Sequence, residues 1–434
     1  MIHQKKAIII FSFAAIVALG QCTKDNPHEN PDIENPALIS EGKNTFRYDT
    51  FGDEDFWSGV LHIDKAIAGK DNGGFGPGVS PKTALAVGLK VDAEALPESV
   101  VTGIRNGTVN LDDPATTLAL LKLNAVLGIK ANFSDKGELR TIGLTCASCH
   151  STVDNSFAPG IGKRLDGWPN RDLNVGTIIS LTDNAKPLTD MLHVDEPTLR
   201  SILAAWGPGK FPAILFLDGK AYRPDGKIAA NLLPAAFGLK GVKYATYTGW
   251  GSVKYWNSFV ANIEMHGKGN FSDPRLNDPV KYPLAVENKL YDIRNPIDLI
   301  TPKLNGLEAY QFSLEVPKPP AGSFNTQMAA RGKHLFISKA KCATCHIPPK
   351  FTEPGYNLHT AAEIGIDDFE SKRSPTNKYR TTPLGGLFTR AKGGFYHDGR
   401  FAALPDVVNH YNNHLKLNLS ATEKEDLVEY LKSL

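Results

Sequence analysis

Cysteine is scarce in this chain, with five in 434 residues. Four of them fall in two copies of one pattern, Cys146-Ala147-Ser148-Cys149-His150 and Cys342-Ala343-Thr344-Cys345-His346. Only Cys22 is left over, so no structural disulfide can form without breaking a copy. Methionine is scarcer still, four residues with none after Met328. An excess of one charge is also missing. Lys and Arg number 48 against 46 Asp and Glu, a net +2, and no basic stripe is visible, which argues against nucleic acid as a partner. The longest apolar run, Ala7 to Leu19, stops well short of the ~20 residues that span a bilayer.

What is present suits a globular chain with room for two or three domains: 41% hydrophobic and 22% charged residues. Lys5 and Lys6 followed by the Ala7–Leu19 run predict a signal peptide over 1–21. Its end, Leu19-Gly20-Gln21-Cys22, resembles a bacterial lipoprotein box, although Gln21 replaces the usual small residue. Ordinary cleavage after Gly20 is the alternative. Lipidation of Cys22 would hold the protein to a bacterial membrane, on the periplasmic or cell-surface side. Residues 22–40 are polar with three prolines after Cys22 and are expected to form a flexible tether.

The repeated pattern carries the chemistry. Two thiols about one helical turn apart can each form a thioether to a haem vinyl group, and the histidine next in line can ligate the iron. Cys146, Cys149, Cys342 and Cys345 are therefore expected as anchors, and His150 and His346 as axial ligands, of two covalently attached c-type haems. Zinc or thiol–disulfide chemistry would leave the histidine after each second cysteine unexplained.

Between the motifs the chain is broken by proline and glycine. Asp113-Pro114 predicts a capped helix with Leu118, Leu121, Ala125 and Gly128 on one face, and then a turn at Asp135-Lys136-Gly137. The proline cluster at 317–320 marks a linker over 317–322. Beyond it, a helix through Met328, Gly332, Leu335 and Phe336 runs into Cys342, and Ser420-Ala421-Thr422-Glu423 is a capping box opening a last helix with Leu427, Val428 and Leu431 at helical spacing. The expected fold is mainly α: two cytochrome c-like haem domains, 41–316 enlarged by long loops and short strands, and 323–434 of class I cytochrome c type.

Gly332, Phe336 and Tyr430 resemble the helix-crossing residues of that class. The string Tyr379-Arg380-Thr381-Thr382-Pro383-Leu384-Gly385-Gly386-Leu387, then Gly394-Phe395-Tyr396-His397-Asp398-Gly399-Arg400, then Leu404 and Val407-Val408, resembles the di-haem bacterial cytochrome c peroxidases. That group includes the methylamine-dehydrogenase maturation enzymes and the di-haem rubber oxygenases. The likeness is good over 323–434 and looser over 141–316. There, Gly167–Asn174 and Trp206–Phe211 look closest to the oxygenase branch.

The resemblance implies a reaction-centre haem in the N-terminal domain and an electron-transfer haem in the C-terminal one. Peroxidases of the group ligate the second iron with a downstream methionine, which is absent here. The matching position is Tyr411, with His410 and His397 as alternatives; His397 could instead hold a propionate or the loop. Trp250 is expected as the bridge between haems, although the family's Phe-Trp-Asp-Gly-Arg is replaced by Gly249-Trp250-Gly251, and Trp256 and Trp168 are rivals. Glu264, in the pair Glu264-Met265, is expected to move a proton between peroxide oxygens. His193 could reach the distal side but sits in a sequence typical of a solvated loop; His359 and His414 are expected to face solvent. The implied activity is peroxide reduction at the first haem with electrons passed through the second. The alternatives are an O2-dependent oxygenase acting on an organic, rubber-like substrate, and a pure electron carrier. A small cytochrome or cupredoxin would be the electron donor. Relatives of the peroxidase type hold calcium between domains, but no loop here has the usual acidic spacing.

Overall fold

The computed structural model describes residues 32–353 and 357–434. The expected signal segment and Cys22 lie outside the described residues. The tether ends earlier than expected. Helix α1 spans Pro36–Tyr48, because the Asn35 side chain accepts from the amide of Ala37, Pro36 fits the first turn, and Gly42, Thr45 and Phe46 are buried. The polar composition of 22–40 hides this capped start.

Helix α2, Pro114–Lys122, is capped by Asp113 as predicted. It stops before Ala125 and Gly128, since Asn124 adopts a left-handed conformation, φ +51°. The chain then enters a hairpin of β1, Ile129–Phe133, and β2, Leu139–Leu144, pairing Ile129 with Leu144 and turning over 134–137. Strand β2 leads straight into the first motif, whose residues Ala147–His150 form the single turn α3. Strand β3, Ser151–Val153, returns antiparallel to β4, Arg164–Asp166. All ladders among the described residues are two-stranded, so the molecule is mainly helical with small sheets.

Later helices are α4, Val253–Phe259; α5, Leu304–Ser313; α6, Thr326–Ile337; α7, Leu404–His414; and α8, Ala421–Lys432. Two crossings organise them. Helix α1 lies on α5 so closely that a Cβ on Gly42 would run into the carbonyl of Gly306. There the Phe46 and Tyr310 rings meet edge-on, centroids 5.4 Å apart. Helix α6 lies on α8 in the same manner: a Cβ on Gly332 would strike the carbonyl of Asp426, and Phe336 meets Tyr430 edge-on at 5.2 Å. The expected trio Gly332, Phe336 and Tyr430 therefore comes together. Ser420 and Glu423 form the predicted capping box.

Each crossing is also tied by charge. The side chain of Asp166 is buried and accepts from Arg47 Nε (2.5 Å), the Tyr310 hydroxyl (2.5 Å) and the Ser151 hydroxyl (2.7 Å), joining α1, α5, β3 and β4. In the other pair, Arg331 grips buried Asp426 through two hydrogen bonds of 2.8 and 2.6 Å. The first crossing packs Phe46, Leu307 and Tyr310 against Ala147 of the first motif; the second packs Phe336, Leu427 and Tyr430 against Cys342 of the second.

Candidate haem sites

The hairpin delivers Cys146 to the edge of a cavity of about 240 Å³. Its lining includes Cys146, Cys149, His150, Trp256, Glu264 and His266, set among many aliphatic and aromatic side chains. His150 Nδ1 lies 3.1 Å from the carbonyl of Pro234, to which it donates, leaving Nε2 as the nitrogen available to a metal. The motif backbone is held from the segment Gly167–Asn170. The amide of Gly167 donates to the His150 carbonyl at 2.8 Å, and that of Asn170 to the Cys149 carbonyl at 2.9 Å. This is the string that resembles the oxygenase branch, and here its work is to brace the motif.

The second motif repeats the arrangement on shorter chain. Cys342–Thr344 form one tight turn, and His346 Nδ1 donates to the carbonyl of Phe351 at 3.0 Å. Burial lowers both motif histidines to about 4, so each is the neutral imidazole that ligates metals. The four motif cysteines are unbridged. Burial pushes the thiols of Cys146 and Cys149 up to about 12 and that of Cys342 to about 11. The oriented imidazoles, the apolar walls and the unpartnered buried atoms around the first cavity, among them Trp256 Nε1 and Arg380 Nε, fit a large flat group with polar edges. Haem matches that description.

Glu264 owes its position to an irregular turn. Helix α4 continues into a π-helical turn, Val260–Glu264, closed by the Met265 amide on the Val260 carbonyl at 2.8 Å. The extra residue in that turn rotates the chain beyond it, as π-bulges do at many functional sites. It brings the Glu264 carboxyl to the cavity wall, where Oε1 has no hydrogen-bond partner and burial raises its pKa to about 8. The next residues are pinned. The Trp57 indole donates to the Met265 carbonyl at 3.1 Å, and His266 stacks on Phe56 at 3.6 Å with φ +61°. Burial lowers His266 to about 4.

Trp250 does not line this cavity. It packs edge-on against Trp256, centroids 5.1 Å apart, with the Arg275 guanidinium 5.5 Å from its ring. Its rival Trp256 forms the wall, and Trp168 instead meets Phe388 at 5.4 Å. Glycine on each side of Trp250 supplies no signal for this ordering, whereas Trp256 is legible as an inward position of the helix that ends at Glu264.

Of the three candidates for the second sixth ligand, Tyr411 alone shares its surroundings with Cys342 and Cys345; burial raises its phenol. The facing ring is Tyr396, 6.3 Å away between centroids. His410 Nε2 is engaged by the carbonyl of Ile364 at 2.8 Å. His397 is buried elsewhere, stacked on Tyr379 at 5.3 Å with Nε2 unpartnered.

His193 faces solvent and pairs with Glu287 at 2.9 Å, and His414 is exposed. His359 departs from expectation. It is half-buried, bonds Glu353 at 2.6 Å, and is raised to about 9 by the Cys345 sulfur and then by Glu353. The reason is that His359, thirteen residues past the motif, lies beside Cys345 and Glu353. Cys345, Glu353 and His359 form the one grouping of three metal-ligating side chains found among the described residues. It mixes sulfur, nitrogen and oxygen, unlike the all-oxygen cages of calcium. Sequence reasoning assigned no role to His266, Tyr247 and Arg380, all of which line the first cavity.

No protein-family model matches the chain. Over 122 residues it is 30% identical to the methylamine utilization protein MauG of Methylorubrum extorquens, a match covering 24% of this chain and 34% of that protein. The chain thus spans about a third of the length of the curated relative it matches. Among solved structures, Kuenenia stuttgartiensis hydrazine synthase pressurized with xenon is similar at a TM-score of 0.27 and 20% identity, over 47% of this chain and 72% of that one. A MauG-like protein associated with microbial copper homeostasis gives 0.28 and 18%, over 49% and 76%. TM-scores this low carry no argument about the fold. Beside the two Cys-x-x-Cys-His motifs, this partial similarity to MauG supports a relation to the di-haem cytochrome c peroxidase superfamily.

Proposed function

We propose that the protein is an exported di-haem oxidoreductase that reduces peroxide at the Cys146–His150 site, with electrons entering through the Cys342–His346 site. Each site would sit in its own cytochrome c-like domain, closed by one of the two helix crossings. The observation that carries the reading is Glu264, an unpartnered carboxyl with a pKa near 8 on the wall of the cavity that holds His150.

A haem held there by Cys146, Cys149 and His150 would supply redox-active iron chemistry toward peroxide. The protein's share is acid–base work and orientation. The Pro234 carbonyl fixes the His150 ring. Glu264 takes the proton from one peroxide oxygen and returns it to the other, which leaves as water. Two electrons from a small cytochrome or cupredoxin and two protons complete the conversion to two waters. Tyr411 is the residue that would help to hold the second haem, and Trp256 backed by Trp250 would form the aromatic path from the first. Lipid attachment at Cys22 would keep the protein on the periplasmic or cell-surface side of a membrane.

Replacing Glu264 with glutamine tests the reading. Peroxide turnover should fall by about 10²–10⁴-fold, the usual worth of a placed general acid–base group. Because Glu264 must begin as the carboxylate, wild-type kcat/KM should rise with pH and level off above about 8. The E264Q profile should be flat; an unchanged rate and profile would remove Glu264 from the mechanism. The many apolar side chains lining the cavity favour one second reading, O2-dependent cleavage of an apolar substrate. In that case E264Q would leave O2-driven product formation intact.

A further inference from the structure

Three arginines, Arg171, Arg380 and Arg390, hold guanidinium nitrogens out of solvent without counter-charge. Arg171 is 6% exposed and Arg390 8%, and the Nε atoms of Arg171, Arg380 and Arg390 all lack a hydrogen-bond partner. Arg171 Nη1 is unpartnered as well. Their few bonds go to neutral groups: Arg380 Nη1 donates to the Tyr244 carbonyl, and Arg390 Nη2 to the Gly385 carbonyl at 2.9 Å. Among the described residues none of the three forms an ion pair with a carboxylate. The contrast with Arg373, equally buried but bonded to both Asp218 oxygens and Glu370, is sharp.

The three share one neighbourhood, since the Tyr247 phenol acts on each of them, Arg380 acts with Arg390, and Arg390 with Arg171. Desolvation accordingly drags Arg380 and Arg390 down to about 10. The cluster also touches both sites. Arg380 and Tyr247 line the cavity that holds His150, and Arg390 lies close enough to His346 to act on it. Buried charges of one sign are costly unless paired, and guanidinium is the side chain best shaped to bind carboxylates in pairs. Both considerations call for anions delivered to this spot by something other than protein side chains.

Resting on the haem reading of the two sites, we propose that Arg171, Arg380 and Arg390 form one anion clamp shared by both, holding the propionate carboxylates of the two haems. The clamp neutralises the propionates and sets the reduction potentials. A nearby cation favours the ferrous over the ferric state, so removing one lowers the midpoint potential. The three arginines are positioning residues, acting through the cofactor.

The experiment uses the full-length holoprotein. Covalent haem is first counted by mass spectrometry; if the wild type carries none, the haem reading itself fails and the clamp is not what was refuted. With two haems present, redox titration in phosphate-free buffer should show R390Q lowering the potential of the second haem and R380Q that of the first. R171Q should lower both. Each reduction equilibrium should change by about tenfold, 59 mV for a one-electron couple. R390K, which keeps the charge, should restore most of the shift and guards against a merely misfolded variant. Unchanged potentials in the three glutamine variants would overturn the proposal. So would shifts that appear only when inorganic phosphate is added, since the clamp would then serve a free oxyanion.

Discussion

The two helix crossings use the same residues for the same purpose. Gly42-Lys43-x-x-Phe46 on α1 matches Gly332-Lys333-x-x-Phe336 on α6, and Tyr310 on α5 matches Tyr430 on α8. What differs is the chain between crossing and motif. From Phe336 to Cys342 is 342 − 336 = 6 residues; from Phe46 to Cys146 is 146 − 46 = 100. The longer stretch supplies much of the first cavity's wall, including Phe56, Trp57, Leu61, Leu89 and Ile129. The histidines differ in kind too: His346 is oriented by a carbonyl five residues away, His150 by one 84 residues away. The same crossing is followed by a long insertion and a chamber at the first motif, and by a short connection at the second, where Tyr411 lies near Cys342 and Cys345. Chemistry at one and electron transfer at the other would follow from that single difference in length.

The comparison can be broken at several levels. The largest effect should come from the anchors. Replacing Cys146 and Cys149 with serine should leave one covalent haem by mass spectrometry and abolish peroxide turnover. Replacing Cys342 and Cys345 should also leave one haem, but spare peroxide binding at the first site while stopping reduction by an external donor. Identical phenotypes for the two pairs would show that the sites are not divided in labour.

Next come the crossings. G42A and G332A each force a methyl group into a backbone carbonyl and should cost about 1–3 kcal/mol, read from chemical denaturation. Equal costs sharpen the equivalence; a neutral G42A would break it. Y411F should alter the absorption and spin-state signature of the second haem alone, and a change at the first haem would place Tyr411 wrongly.

A pH-dependent effect concerns Asp53, which is fully buried, accepts from the Leu144 amide ahead of the first motif at 3.2 and 3.1 Å, and is pushed up to about 9 by burial. A carboxyl raised from 3.8 to about 9 binds its proton more tightly in the folded state, so its contribution to stability is full at acid pH and lost as pH rises toward 9. D53N should remove that loss. Thermal melts should then show the variant gaining on the wild type from pH 5 to pH 9, and parallel curves would show that the group does not titrate this way.

The features legible in the sequence are the local ones. Thioether spacing, the cap at Asp113 and the capping box at Ser420 are each written within five residues. The crossing of α6 on α8 is readable because a recognisable helix leads directly into its motif. Its twin is hidden because Phe46 lies so far from Cys146, and because prolines and charges before Pro36 disguise a capped helix as tether. Trp250 outranks Trp256 only by alignment with a motif whose Asp and Arg are absent here; the indole that reaches the cavity is that of Trp256 on α4, and it is the position of Glu264 that the π turn after α4 decides, which no propensity announces. His359 and the arginine clamp escape for a related reason. Neither the closeness of His359 to Cys345 nor the meeting of the arginines around Tyr247 is written in a local pattern, and an unpaired buried charge is visible only once the surroundings are known.

The carbonyl of Pro234 has a consequence for how such a chain matures. A polypeptide emerging from its N-terminus exposes Cys146 and Cys149 long before the strand of chain that steadies the neighbouring imidazole has been made. The later motif carries its own support within a few residues and needs to wait for nothing. Haem delivery should therefore be locally self-sufficient at the second position and dependent on long-range assembly at the first, so that slow folding would yield singly loaded molecules with the C-terminal position filled.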